Sequence, residues 1–166
     1  EWLARGLVIL RRELPEQILA DGGHFELSPM YHGIILEDLL DIENLAKAYG
    51  LGAIIKTETV AKMRHWLAAM SHPDGEIAFF NDSAFGIAPN LTESNEYAER
   101  LKHPVQKAPS DGVLCLAESG YVRLQHGDAV LMVDAAPIGP SYLPGHAHAD
   151  TLSFELSLHG QRVMVN

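Results

Sequence analysis

The sequence predicts an α+β chain in two parts, helical over residues 1–108 and an antiparallel sheet over 109–166. Three observations carry this. Up to about residue 110 the apolar residues recur at spacings of three and four, the repeat of an amphipathic helix. Beyond it the apolar runs are short, alternate with polar residues, and are joined by Gly-containing pairs, as in hairpins. The two patterns are segregated rather than interleaved, so alternating βαβ units are excluded and two layers or domains meeting are expected.

Taken in order, Leu3, Leu7, Leu10 and Leu14 form a helical stripe that Pro15 is expected to interrupt, as a candidate first residue of a second short helix. Asp21-Gly22-Gly23 marks a turn. Ser28-Pro29 reads as the N-cap and first residue of a long helix carrying Met30, Ile34, Ile35, Leu39 and Ile42, ended by Gly50 or Gly52. Thr57 is expected to cap the next helix, with Val60, Met63, Leu67 and Met70 along one side, until His72-Pro73-Asp74-Gly75 stops it. Residues 76–89 are mixed, 92–101 form a short helix, and 102–110 a linker. Strands are expected at 113–117, 121–125, 129–134, 151–158 and 162–165, turning at Ser119-Gly120, His126-Gly127 and His159-Gly160.

With 166 residues and 47% hydrophobic content the chain has ample material for a core. A formal charge of −10 and the lack of any basic cluster longer than Arg11-Arg12 argue against a nucleic-acid partner. No apolar run approaches the roughly 20 residues of a membrane span. The single cysteine, Cys115, excludes an internal disulfide and is expected to be a buried, inert thiol. The chain opens on Glu1 within a helical pattern and closes on Asn166 within a strand-like run, so a piece of a longer protein is expected.

Two stretches carry the chemistry. In Gly145-His146-Ala147-His148-Ala149-Asp150 two imidazoles and a carboxylate occupy alternate positions, so an extended segment would project all three to one side. Such a trio could serve a metal or a ligand. A binuclear metal hydrolase with a His-x-His-x-Asp start would need a further His after the Asp, and Thr151 stands there. In Asp21-Gly22-Gly23-His24-Phe25-Glu26-Leu27-Ser28-Pro29-Met30-Tyr31-His32, acidic, aromatic and imidazole groups crowd the entry to a helix. Tyr31 falls in the first turn, where the helix start favours an anion and could stabilise a phenolate. No phosphate loop, nucleophile elbow or HExxH motif occurs.

Together these two stretches, with His72-Pro73-Asp74-Gly75 and Phe79-Phe80-Asn81-Asp82 between them, resemble the heparinase II/III family of polysaccharide lyases. The resemblance implies the C-terminal part of an incomplete (α/α) toroid followed by the first strands of an antiparallel β-sandwich. It implies cleavage of an acidic polysaccharide beside a uronic acid by β-elimination, and a periplasmic or secreted location. By the same likeness Tyr31 is the general acid and a candidate for the base, while His146 neutralises charge or orients Tyr31. His24, Glu26 and His32 are assigned to substrate binding. His148 matches a ligand of a structural zinc whose carboxylate partner falls at Asn166, a neutral amide and a poor zinc ligand. Asp150 is expected to be a supporting hydrogen bonder.

One departure bears on activity. The family's carboxylate-neutralising residue lies farther upstream of the tyrosine than these residues reach, so this polypeptide alone is expected to be nearly inactive. The alternative function is a non-catalytic carbohydrate-binding or polysaccharide-export protein with the same fold, which Asn166 and the acidic charge favour.

Overall fold

The computed structural model describes all 166 residues. Four helices come first, α1 (Trp2–Gln17), α2 (Pro29–Ala48), α3 (Thr57–Ala69) and α4 (Leu91–Arg100). Five strands follow, β1 (Gly112–Leu116), β2 (Tyr121–His126), β3 (Ala129–Asp134), β4 (Phe154–Leu158) and β5 (Gln161–Met164). They pair antiparallel in chain order as one sheet, so the α+β class with helices and strands segregated is what the chain adopts. No helix is long and apolar enough to cross a membrane.

Local chemistry explains most boundaries. The Ser28 hydroxyl accepts the Tyr31 N–H at 3.2 Å while Pro29 fills the first helical position, so α2 starts as expected. It ends at Ala48, and Gly50 just beyond takes a left-handed φ of 63°. In α4 a reciprocal capping box joins Asn90 and Glu93, a signal the sequence reading did not use. Gly22 is required by both conformation and space: its φ is 98°, and a Cβ there would lie 2.4 Å from the Lys62 backbone of α3.

Four expectations are corrected. Pro15 does not interrupt α1; it lies in the last turn, where the helix loses a single hydrogen bond before ending at Gln17. Thr57 is the first residue of α3 rather than its cap, which is Lys56 with no side-chain bond. Strand β4 begins at Phe154, because 151–153 form a turn closed by Ser153 N–H on the Asp150 carbonyl at 2.7 Å. Cys115 is exposed. Leu114 and Leu116 point toward the helices, so strand parity sends Val113 and Cys115 to the opposite face.

That opposite face is apolar. Cys115, Val122, Val133 and Phe154 lie in register across four strands, beside the row Val113, Leu124, Leu131 and Leu156. A sheet with both faces apolar suits one layer of a sandwich. The inner face packs on the helical part through a cluster formed by Leu27, Trp66, Met70, Ala78 and Phe80 with Leu116, Tyr121, Val130, Met132 and Ala136. A second cluster, including Leu36, Leu40, Val60, Met63, Leu67 and Ala98, joins α2, α3 and α4.

Polar groups cross the same seam, and each has its partners. Arg123 of β2 donates through Nη1 to the carbonyls of Ala69 (2.9 Å) and Ser71 (2.8 Å), placing a cation at the C-terminus of α3. Burial lowers its pKa to about 10, so it stays charged at neutral pH. Glu155 of β4, fully enclosed, accepts from His72 Nε2 at 2.7 Å and from the Phe79 N–H at 2.7 Å. The other ring nitrogen of His72 meets the Ser157 hydroxyl at 2.7 Å. Removing one member of such a buried pair strands the other. Glu155→Ala is therefore expected to destabilise the protein by roughly 3–5 kcal/mol, read as a lower denaturant midpoint; an unchanged midpoint would show that the seam does not depend on this pair.

Candidate active site

The site forms where the two sequence stretches meet. Residues 146–150 are not a strand; they belong to an irregular loop between β3 and β4, so the three side chains do not share a face. The loop is held by the helical part instead. The Asp82 N–H donates to the His146 carbonyl at 3.1 Å, the His148 N–H to Asn81 Oδ1 at 3.0 Å, and the Asn81 N–H to Asp150 Oδ2 at 2.5 Å. Asp150 is thus a supporting hydrogen bonder, as expected.

These bonds bring His146 onto Tyr31, with ring centroids 3.8 Å apart and planes inclined by 36°. His146 Nδ1 lies 2.8 Å from Asp82 Oδ2. A carboxylate only accepts, so Nδ1 carries a proton, and Nε2 makes no hydrogen bond within the chain. Partial burial, then the carboxylates of Asp82 and Glu26, push the Tyr31 hydroxyl above its usual range. The expected phenolate is therefore not what this setting favours. The N–H of Tyr31 itself is taken by Ser28, and the phenol faces two negative groups.

His24 and Glu26 lie beside this pair, and His32 does not. His24 is buried, with Nδ1 lacking a partner; Glu26 Oε2 at 3.9 Å is too far for a hydrogen bond. Burial, then the nearby His146, lowers its pKa to about 4, so the two do not form an ion pair at neutral pH. His32 presents no surface to a substrate. Its Nδ1 accepts the His24 N–H at 3.2 Å, so Nε2 must donate to the Met63 carbonyl at 2.9 Å, and the ring packs 4.4 Å from Trp66. The imidazole shapes the loop that carries His24. Burial lowers its pKa to about 3.

The zinc expectation finds little support in the donors present. His148 is exposed and fixed only through its backbone, while Asn166 offers its N–H to Glu155 Oε1 at 3.3 Å. No three His, Cys, Asp or Glu residues are gathered so as to hold a metal. One imidazole and a neutral amide do not make a tetrahedral zinc site.

Sequence reasoning missed Asp82 and Asn81 as members of the site. Asn81 binds four groups: its Nδ2 donates to the Leu27 carbonyl at 3.1 Å and meets the Tyr121 hydroxyl at 3.0 Å, besides the bonds to His148 and Asp150. The available signal was the stretch Phe79-Phe80-Asn81-Asp82, which helped carry the family resemblance without a role being assigned to either polar residue.

Comparison with known proteins places these features in a family. Residues 1–104 match the family model described as Heparinase II/III N-terminus, and residues 109–166 match Heparinase II/III-like, C-terminal. A heparin-sulfate lyase of Pedobacter heparinus is 27% identical over 185 residues, covering 96% of this chain and 27% of the relative. One of Bacteroides thetaiotaomicron is 31% identical over 154 residues, covering 76% of the chain and 22% of the relative. The crystal structure of a heparinase III superposes with a TM-score of 0.79 at 21% identity, covering 97% of this chain and 30% of that one. A heparan sulfate lyase structure from Pedobacter heparinus gives 0.73 at 25% identity, covering 97% and 28%. The chain thus spans less than a third of the length of these proteins.

The buried neutral histidines set an acid limit. Below about pH 6.5 the unfolded chain protonates His24 and His32 while the folded chain does not, so stability falls as pH drops toward about 4 and about 3. Above pH 7 neither contributes a slope. Denaturant titrations at pH 7 and pH 4.5, followed by tryptophan fluorescence, should show the lower midpoint at pH 4.5; equal midpoints would contradict the burial of these rings in neutral form.

Proposed function

The chain belongs to the heparinase II/III family, and we propose from that premise that it contributes the acid–base pair of a polysaccharide lyase acting on a uronate-containing acidic polymer. The observation that carries this reading is Tyr31 stacked at 3.8 Å on an imidazole whose Nδ1 is committed to Asp82. In β-elimination a base takes the C5 proton of the uronate, the C4–O4 bond breaks, a C4=C5 double bond forms, and an acid protonates the departing O4. A phenol held above its usual pKa is protonated at neutral pH and suits the acid. Nε2 of His146, left without a partner in the chain while Nδ1 is bonded to Asp82, suits the base. Each turnover leaves a phenolate beside an imidazolium, and proton return between these adjacent rings resets the pair.

The loop residues contribute differently. His24, neutral by burial, can offer a hydrogen bond but no positive charge to the uronate carboxylate. Glu26 and the formal charge of −10 oppose a polyanion, so the neutralising donors of this reading come from elsewhere in the protein. The names of the relatives support heparan sulfate as the first polymer to try, and a periplasmic or secreted location belongs to the same reading.

The test uses the full-length protein on heparan sulfate, alginate and hyaluronan, with the ultraviolet absorbance of the unsaturated product as readout. Tyr31→Phe and His146→Ala are each expected to lower kcat by about 10²–10⁴, with binding changed by no more than a few fold. Turnover retained in either variant would overturn the role of that residue. Binding without product on every polymer would favour a non-catalytic carbohydrate-binding protein.

A further inference from the structure

Building on the acid–base reading above, we propose that Asp82 is the positioning residue of the site, fixing both the ring orientation and the tautomer of His146 and tying His146 to the helix that carries Tyr31. Three bonds from this one residue converge. Its carboxylate accepts His146 Nδ1–H at 2.8 Å, and its backbone N–H donates to the His146 carbonyl at 3.1 Å. Its carbonyl accepts the Ser28 hydroxyl at 2.8 Å. Ser28 is the N-cap of α2 and takes the Tyr31 N–H, so the chain of bonds runs from His146 through Asp82 to Tyr31.

The carboxylate acts by direction rather than by binding energy. The side chain of Asp82 is 47% exposed and that of His146 32%, so solvent screens their attraction. What the contact decides is which nitrogen holds the proton. With Nδ1–H fixed on Asp82, the lone pair is confined to Nε2, on the far side of the ring. Without the acceptor the ring could protonate either nitrogen and turn about its Cβ–Cγ bond, and a misplacement of about 1 Å costs on the order of 10² in rate. The other titratable groups around His146 are Tyr31 of α2 and, in the preceding loop, His24 and Glu26; the Glu26 carboxylate makes no hydrogen bond or ion pair with His146, so it does not replace Asp82.

The backbone bonds of Asp82 do not use its carboxylate and are open to both Ala and Asn at this position, which separates positioning from folding. In the full-length protein Asp82→Ala should lower kcat on heparan sulfate by about 10²- to 10³-fold with KM within about threefold of the parent. Asp82→Asn, which keeps the size and one acceptor oxygen, should fall between. Independently of any substrate, ¹⁵N NMR of the His146 ring should show Nδ1 protonated in the parent and a mixture of tautomers in Asp82→Ala. Parent-like kcat in Asp82→Ala, or Nε2 protonated in the parent, would overturn the proposal. If Tyr31→Phe and His146→Ala are inactive while Asp82→Ala is not, only the role of Asp82 fails. If those two variants also turn over, the acid–base reading fails. Should no polymer turn over, the NMR comparison alone decides the claim about Asp82.

Discussion

Asn81 is the contact on which the geometry of the site depends. Its φ of 57° is a left-handed conformation that Asn adopts more readily than most residues, and its carboxamide holds a donor and an acceptor on one short stem. Nδ2 reaches the Leu27 carbonyl and the Tyr121 hydroxyl; Oδ1 receives the His148 N–H; the backbone N–H goes to Asp150. The helical loop, strand β2 and the histidine loop thus share one residue. Aspartate would fail here, since it offers two acceptors where a donor is required. Leu27, left-handed as well at φ 62°, is held by the two bonds to its carbonyl from Asn81 and Tyr121.

The electrostatics follow from the same arrangement. Packing the 21–28 loop and the first turn of α2 against α3 buries His24 and His32, and burial keeps both neutral. The charges left around Tyr31 are negative, from Asp82 and Glu26, so the phenol remains protonated. A phenol and a directed imidazole can thus stand in close, tilted ring contact. On the proposed reading, neutralising a uronate carboxylate is left to groups outside this cluster.

Elements governed by period or by local capping could be read from the sequence. Ser28-Pro29 start α2, the alternating runs pair as hairpins in order, and Asp21-Gly22-Gly23 turns tightly against α3 and Ser119. The site was legible only in its members. Tyr31 and His146 were named because their motifs stand out, whereas Asp82 and Asn81 lie in a stretch without period, and their partners are more than sixty residues away in His146 and His148. The alternation of His146, His148 and Asp150 suggested a strand, but Pro140, Pro144, Gly139 and Gly145 precede it and the chain turns instead. His32 has the composition of a ligand-binding residue, and only tertiary packing on Trp66 shows that it is enclosed.

The seam between helices and sheet explains why the pair can be held with such short contacts. His146 belongs covalently to the sheet side, yet its loop is pinned by bonds from residues 81 and 82, which belong to the helical side. The sheet is separately fixed to the helices by the buried Glu155–His72 pair and by Arg123 at the end of α3. A relative shift of the two halves would have to break those enclosed bonds before it could separate Tyr31 from His146. Buried polar contacts add little net stability compared with apolar packing, but they are directional. Here their directions set the register between the two halves and, through Asn81 and Asp82, the distance between the two rings.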